Sequence, residues 1–190
     1  MPPATGGDHG PPVEAASETL AAQAAAGDRR ACRALVDRHL AALVRYANRM
    51  LGDAAEAEDV AQEAFLRLWR SLAERPEVSA SIGAWLFRVA HNLCIDQLRR
   101  RRSIPLDDIV EPPDATPDAA EQMLAAERQR AVAAALGALP ERQRAAILLC
   151  HYEGFSNAEA AGVLGVGVEA VESLLARGRR GLRQRLMADG

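Results

Sequence analysis

The stretch Asp53–Arg70 carries an apolar stripe whose spacing fits only one kind of local structure. Its apolar residues recur at steps of three and four: Ala57, Val60, Ala61, Ala64, Phe65, Leu68 and Trp69. This spacing places them on one side of an α-helix. Asp53 is suited to cap the helix start, and Glu56 three residues later fits a capping box. The sequence therefore predicts a helix here with one buried face.

Acidic residues lie beside that apolar stripe. Glu56, Asp59 and Glu63 follow a spacing of i, i+3 and i+7, which lines them up along the helix. Periodicity alone favours a solvated helix face. The run Asp59–Trp69, however, closely resembles region 2.2 of bacterial sigma factors of the extracytoplasmic-function (ECF) type. The resemblance implies contact with the β′ clamp helices of core RNA polymerase through Glu56, Asp59, Gln62 and Glu63.

Composition narrows the fold class and the kind of partner. Apolar residues make up 49% of the 190 residues but aromatic residues only 4%, so Ala and Leu fill the core, which favours helices. The formal net charge of −3 argues against a free-standing basic DNA-binding protein, so any nucleic-acid surface is local. Cys32, Cys94 and Cys150 are far apart in the sequence and form no CxxC pair, which favours reduced, buried thiols over a disulfide or metal site.

The first half of the chain is predicted to form a series of helices. Met1–Ala16 is expected to be disordered, with a short helix capped by Ser17 or Thr19 behind it. A long helix is predicted over Asp28–Leu51, ended by Gly52. Ser71–Ser81 is expected to be a loop. The next helix, capped by Ser79 or Ser81, should run to Arg102.

The helix 82–102 carries polar and cationic residues on its predicted outer face, and its sequence resembles sigma regions 2.3 and 2.4. A solvated face with arginines that favour the helix dipole is the simpler alternative. The resemblance implies capture of the melted non-template strand of the −10 element, with a loop over 72–81 shaping a base pocket. The residues expected to contact −10 DNA are Arg88, His91, Asn92, Asp96, Arg99 and Arg100.

Residues 103–122 differ from both flanking segments. They contain six acidic residues, four prolines and no Lys or Arg, which predicts a flexible acidic linker. Two interpretations stay open. The linker is either a passive, charge-extended spacer or, as the family resemblance implies, a segment threaded through the polymerase, where acidic residues would mimic nucleic acid.

The last third predicts a helix-turn-helix. A helix from about Ala119 to Leu136 is followed by a restart at Pro140. Ser156, with Glu159 three residues later, is expected to cap a short helix. The turn 165–167 then leads into a long helix with five arginines between positions 177 and 185. Gly178 and Gly181 are expected to weaken this last helix.

This last third resembles sigma region 4, on the residues 139–144, 153–156 and the helix-turn-helix. The resemblance implies that the second helix enters the major groove of the −35 element, and that the region also contacts the polymerase β flap. The sequence departs from the commoner ECF pattern, because Glu172 and Leu174 replace a Lys and an Arg that would contact phosphate. The residues expected to contact −35 DNA are Glu169, Ala170, Glu172, Ser173, Arg177, Arg179 and Arg180.

Together these features identify an all-α chain of two small helical domains that resembles an ECF sigma factor. The expected organisation is a disordered terminus (1–16), region 2 (17–102), the linker (103–122) and region 4 (123–187). The resemblance implies promoter recognition, promoter melting and an anti-sigma partner. The alternatives are a DNA-binding regulator that acts without polymerase, and a sigma mimic that sequesters an anti-sigma factor.

Several classes are not supported by any pattern in the sequence. There is no nucleophile–base pairing, phosphate loop or metal-ligand spacing, so the chain is expected to be neither an enzyme nor dependent on a cofactor. No signal peptide or apolar run of membrane-spanning length is evident, so the expected compartment is the cytoplasm, without membrane insertion.

Overall fold

The computed structural model describes residues 11–74, 81–103 and 120–188. Within these ranges the secondary structure is helical and contains no strand, which confirms the all-α prediction. The elements are α1 (Pro11–Ala25), α2 (Arg29–Leu51), α3 (Ala54–Glu74), α4 (Ile82–Ser103), α5 (Ala120–Gly137), α6 (Glu141–Ile147), a π-helical turn (Leu148–Tyr152), α7 (Asn157–Leu164) and α8 (Val168–Ala188). Helices α1–α4 form the first half and α5–α8 the second.

The ends of the helices in the first half follow the sequence signals. The Asp28 carboxylate accepts hydrogen bonds from the backbone N–H groups of Arg30 and Ala31 at the start of α2. Gly52 ends α2 in the left-handed conformation, at φ 73°. The Asp53 carboxylate accepts from the Glu56 N–H at the start of α3 (2.9 Å), and Ser81 caps α4. These local bonds fix where each helix begins and ends.

The predicted beginning of the chain was partly wrong. Helix α1 begins at Pro11, so Ser17 lies inside the helix rather than at its cap, and residues 11–16 are helical rather than disordered. The Ser17 side chain is buried and its hydroxyl bonds the Arg38 guanidinium (3.0 Å) and the His39 ring on α2. Ser17 therefore joins α1 to α2, although its sequence context is typical of a helix cap. Residues 1–10 lie outside the described part of the chain.

Helix α3 has the buried face that its periodicity predicts. Its apolar stripe is buried, apart from the half-buried Trp69, and packs mainly against α2 and α4. The helix continues past Arg70 to Glu74, so the first residues of the predicted loop are helical. The rest of that loop, residues 75–80, and most of the predicted linker, residues 104–119, lie outside the described residues.

The second half contains the predicted helix-turn-helix. Ser156 and Glu159 form both hydrogen bonds of a capping box at the start of α7, and Gly165 ends that helix at φ 64°. Val171 and Leu175 of α8 are buried in the same core as Ala160 and Ala161 of α7. Because this side of α8 packs against α7, the opposite side of α8 faces solvent.

The two glycines within α8 serve packing, a role that the sequence prediction missed. A Cβ on Gly178 would lie 2.6 Å from Ile147 Cδ1, and one on Gly181 would lie 2.8 Å from Leu139 Cδ2. Both distances are too short for carbon atoms in contact. A side chain at either position would push a terminal methyl of Ile147 or Leu139 aside, so the glycines let α8 lie close to α6 and the segment before it.

The two halves pack against each other. Helix α4 contacts α7, and α2 contacts α5, α6 and the π-helical turn. The rings of Phe87 on α4 and Phe155 before α7 meet edge to face, with centroids 5.0 Å apart. The buried apolar side chains of the two halves form one continuous cluster. The sequence indicated two domains but contained no signal for this contact.

Candidate protein and nucleic-acid interfaces

The four residues predicted to bind polymerase differ in their surroundings. Asp59 and Gln62 are exposed on α3. Glu63 is half-buried and pairs with Arg67 one turn later (2.8 Å), and this hydrogen bond lowers the pKa of Glu63. Glu56 pairs with Arg101 of α4 (2.8 Å), so it braces the helices against each other. Asp59 and Gln62 therefore form the accessible centre of the acidic stripe.

The outer face of α4 presents most of the residues predicted to contact −10 DNA. Steps of three and four residues place them along one side of the helix. The exposed members are Arg88, Asn92, Asp96, Arg99 and Arg100. This surface offers guanidinium and amide groups suited to phosphates and base edges.

His91 is the exception, and its predicted place on the outer face is wrong in this structure. It is 7% exposed, and its Nδ1 lies 2.9 Å from the buried Tyr46 hydroxyl of α2. Burial lowers the pKa of His91 to about 4, and the nearby Arg142 contributes, so the ring is neutral at pH 7. The spacing of His91 from Phe87 and Cys94 is that of the buried side of α4, a signal that the sequence did contain.

The arginines that end α4 are engaged within the protein. The Arg101 guanidinium donates to the Leu51 carbonyl (2.8 Å) and pairs with Glu56. Arg102 pairs with Glu141 of α6 (2.5 Å), which links the two halves. These two members of the arginine run therefore have structural partners.

On α8 the predicted DNA-contacting residues share one exposed surface. The helical repeat groups them on the side opposite the buried Val171, Leu175 and Gly178. Its members are Glu169, Ala170, Glu172, Ser173, Arg177, Arg179 and Arg180. None of the arginines of α8 forms an ion pair within residues 11–74, 81–103 and 120–188. This surface therefore carries polar residues in its first two turns and arginines after them, all on one side of a single helix.

The leucine at position 174 has a structural role that the sequence prediction missed. Its side chain is 8% exposed and belongs to the apolar core of the second half. The side chain at this position points inward, so Leu174 contributes packing where the commoner pattern has an Arg. Glu172, by contrast, is exposed.

Arg144 is an important residue that the sequence prediction missed. It is 9% exposed and donates hydrogen bonds to the backbone carbonyls of Met50 on α2, Gly137 and Leu139. Burial lowers the pKa of its guanidinium, with Glu141 opposing. Its position directly before the buried apolar run 145–149 was the available signal, since a charge there needs buried acceptors.

A groove of about 510 Å³ lies between the end of α4, the start of α6 and the side of α8. Its lining includes Arg102, Arg142 and Arg177 together with the apolar Val166 and Leu174. Arginines of the first and second halves thus line one groove.

The described residues show neither a metal-binding cluster nor a membrane-spanning helix. Cys94 is buried, Cys32 and Cys150 are half-buried, and all three are free thiols. Burial raises the pKa of the Cys94 thiol to about 12. The described residues contain no cluster of His, Cys, Asp or Glu that would hold a metal ion. None of the helices in this part of the chain has the length and apolar content that a membrane crossing requires.

Comparison with known families gives two matches in chain order. Residues 35–104 match sigma-70 region 2, and residues 129–182 match sigma-70 region 4. These ranges contain the exposed faces of α3, α4 and α8.

Known relatives cover nearly the whole chain. It is 40% identical over 171 residues to the ECF RNA polymerase sigma factor SigL of Mycobacterium tuberculosis, covering 88% of this chain and 95% of SigL. It is 37% identical over 186 residues to the RNA polymerase sigma factor CnrH of Cupriavidus metallidurans, covering 93% and 97%.

Two solved structures are similar to this fold. CnrH in complex with the cytosolic domain of CnrY has a TM-score of 0.71 at 35% identity, covering 92% of this chain and 99% of that one. The sigma factor RpoE of Bartonella quintana, in complex with the anti-sigma factor NepR, has a TM-score of 0.60 at 25% identity, covering 80% and 93%.

Proposed function

Because this chain belongs to the sigma-70 family as an ECF-type sigma factor, we propose that its three exposed faces divide the work of promoter-specific initiation. Sigma factors bind core RNA polymerase and direct it to promoters. The α3 face would contact the polymerase, the α4 face the −10 element and the α8 face the −35 element. The observation that carries this division is that each face is exposed on its own helix, within the matching region.

For the polymerase contact, Asp59 and Gln62 have the strongest support. Both are exposed and lie off the buried stripe of α3. Glu63 borders them, whereas Glu56 is occupied by Arg101. The proposed counterpart is the β′ clamp helices, and region 4 would contact the β flap.

For DNA, α4 and α8 suit different substrates. The α4 face combines Arg88 and Asn92 with Asp96, a mixture suited to separated bases as well as phosphates. The α8 face is a helix surface with its arginines in the second half and polar residues in the first two turns, which suits a major groove. Promoter melting would follow from strand capture on α4.

An anti-sigma partner is also proposed. Of the structural relatives, CnrH was solved with the cytosolic domain of CnrY, and RpoE with the anti-sigma factor NepR. The chain acts by binding rather than by catalysis in this proposal, and its place of work is the cytoplasm, where polymerase and promoter DNA are found.

The test combines pull-down on core polymerase with run-off transcription. Asp59→Arg with Glu63→Arg should abolish core binding while circular dichroism shows unchanged helicity, since neither carboxylate is in the core. Asp37→Arg, an exposed acid on α2, is the matched control. Native affinity in the double variant would remove the α3 assignment. Binding to promoter duplex and regulation without polymerase would favour an independent regulator, and failure of run-off with intact anti-sigma binding would favour a mimic.

A further inference from the structure

The first two turns of α2 carry three arginines whose charges oppose the helix. Arg29 and Arg30 lie in the first turn, and Arg33 follows one turn later. Backbone N–H groups at the start of a helix carry partial positive charge, so cations there destabilise the helix. Helices α3, α6, α7 and α8 each have a glutamate in the first turn, whereas α2 has no acidic residue there. The position of these arginines therefore has a cause other than helix stability.

These three residues, called here the α2 arginine patch, carry charges that other described residues leave uncompensated. Arg29, Arg30 and Arg33 are all exposed, and none of them forms an ion pair with a described residue. The Asp28 carboxylate, adjacent in sequence, instead accepts from the backbone N–H groups of Arg30 and Ala31. An anionic partner in contact with the patch would remove the repulsion between the arginines and the helix start. The patch therefore has the charge of a surface that binds an anion.

The surroundings of the α2 arginine patch favour nucleic acid over protein as this partner. Protein interfaces usually contain large apolar or aromatic side chains that anchor the partner. The exposed large apolar side chains of the described residues lie at positions 40, 66, 152, 168, 186 and 187, all outside the first two turns of α2. Guanidinium groups, by contrast, bind phosphate oxygens through paired hydrogen bonds. The patch therefore fits a phosphate backbone better than a protein surface.

Packing within the first half places the patch at the end where α4 begins. The Tyr46 hydroxyl of α2 bonds the His91 ring of α4. The Leu51 carbonyl at the end of α2 accepts from Arg101 near the end of α4, so the two helices run in the same direction. The start of α2 precedes Tyr46 by 17 residues, whereas the start of α4 precedes His91 by 9. At ~1.5 Å per residue, α2 therefore extends roughly 12 Å past the start of α4.

The proposed function gives the direction of DNA along these helices. Region 4 follows the end of α4 in the chain, and the −35 element that it would contact lies upstream of the −10 element. Upstream DNA is therefore expected at the end of α4, beside Arg99 and Arg100. Downstream DNA is expected at the start of α4, beyond Arg88. The α2 arginine patch lies past that start.

We propose that the α2 arginine patch is a further DNA-binding site of region 2, which contacts promoter phosphates immediately downstream of the −10 element. The inference rests on the proposed function, which supplies the position and the direction of the −10 element. Contacts to phosphates position a protein and carry no sequence information, so the site adds affinity without sequence preference. Each contacted phosphate releases counterions, which makes this part of the affinity depend on salt.

The experiment measures binding of holoenzyme, assembled from core polymerase and the full chain, to two duplex templates. Both templates contain the −35 and −10 elements. The short one ends at the downstream edge of the −10 element, and the long one continues for one further turn of about 10 base pairs. The variant combines Arg29→Gln, Arg30→Gln and Arg33→Gln, which removes the charges but keeps side chains of similar helix propensity.

On the long template, the triple variant should reduce the slope of log affinity against log salt by about 2, from ~0.7 for each lost contact. Between ~50 and ~200 mM salt, the affinity of the wild type should therefore fall about 16-fold more than that of the variant. On the short template the two slopes should agree. Arg33→Gln alone should reduce the slope on the long template by about 0.7, whereas Arg130→Gln, which removes an exposed arginine of α5, should leave it unchanged.

Thermal unfolding of the free protein by circular dichroism separates binding from a structural role. The triple variant should raise the midpoint of unfolding by about 2 °C, because two cations leave the first turn of α2. Arginines that stabilise the fold would instead lower the midpoint when they are replaced. A gain in stability together with a loss of DNA affinity is therefore the expected pair of results.

Equal salt slopes for the wild type and the triple variant on the long template would overturn the downstream site, and an acidic protein partner would give this result. An equal reduction on both templates, or a lower midpoint of unfolding, would also overturn it. These results leave the proposed function intact, because the short template contains both promoter elements. Failure of the wild-type holoenzyme to bind the short template would refute the proposed function, and the downstream site with it.

Discussion

The arginines at the end of α4 and those along α8 look alike in sequence but have different surroundings. Arg101 and Arg102 bind a backbone carbonyl and carboxylates of α2, α3 and α6. Arg179 and Arg180, by contrast, are exposed on α8, and it is the apolar side of that helix that packs into the core. A run of arginines can therefore stabilise a helix junction or form a binding surface, and the acceptors around it decide which.

The largest expected contrast is in stability. Arg101→Ala should lower the free energy of unfolding by about 2 kcal/mol, because it leaves the Leu51 carbonyl and the Glu56 carboxylate without their charged donor. Arg177→Ala should change it by about 0.5 kcal/mol or less, since the bond of Arg177 in the described part of the chain is to its own helix, at the Ser173 carbonyl. Urea unfolding of the two variants measures the contrast. Equal losses would contradict it.

The buried side of α4 should make stability depend on pH. The pKa of His91 is about 4 in the folded chain and about 6.5 when unfolded, so the unfolded state binds the proton first as pH falls. The contribution of His91 to the free energy of unfolding is therefore present above pH 6.5 and is lost as the pH falls towards 4. We expect a loss of about 2 kcal/mol between pH 7 and pH 5. His91→Gln should remove this part of the pH dependence, while Asn92→Ala on the exposed side should retain it.

The two DNA surfaces should give different binding defects. Arg177→Ala with Arg180→Ala should weaken holoenzyme binding to −35 duplex and reduce the slope of log affinity against log salt by about 2, one for each lost phosphate contact. Arg88→Ala with Asn92→Ala should spare duplex binding and slow open-complex formation. Salt titrations and permanganate footprinting measure the two effects. The same defect from both pairs would make the division between α4 and α8 wrong.

The smallest expected effect concerns sequence preference at the start of α8. The exposed Glu172 can accept a hydrogen bond from a cytosine amino group, whereas near phosphate it would only repel. Glu172→Lys should change preference at one base pair, by about 1 kcal/mol, in a selection from randomised −35 sequences. Uniformly tighter binding with unchanged preference would show that Glu172 acts only through its charge.

The helices and their ends could be predicted because their causes are local. The apolar repeat of α3, the Asp53 cap, the Gly52 stop and the Ser156–Glu159 capping box each depend on residues within a turn or two. The exposed faces of α3 and α8 followed from the same periodicity. Family resemblance then supplied the functions that periodicity alone left open.

Other features depended on residues far apart in the chain. Ser17 resembles a cap but bonds α2, and His91 resembles a DNA contact but bonds Tyr46, 45 residues away. Gly178 and Gly181 resemble weak points but allow α8 to approach its neighbours. In each case the residue has more than one favourable role, and the neighbour that folding brings near decides between them.

The sequence by itself determined the all-α class and the outer face of α8, because these depend on spacing along one helix. The order of the two regions followed from the family resemblance. Only the tertiary structure decided that Arg101 and Arg144 are structural, that Leu174 is core and that Glu153 pairs with arginines of α2. A buried charge is stable only where oppositely polarised groups surround it. Arg144 bonds the Met50 carbonyl and Glu153 pairs with Arg45, and each pair is separated by about a hundred residues in the chain.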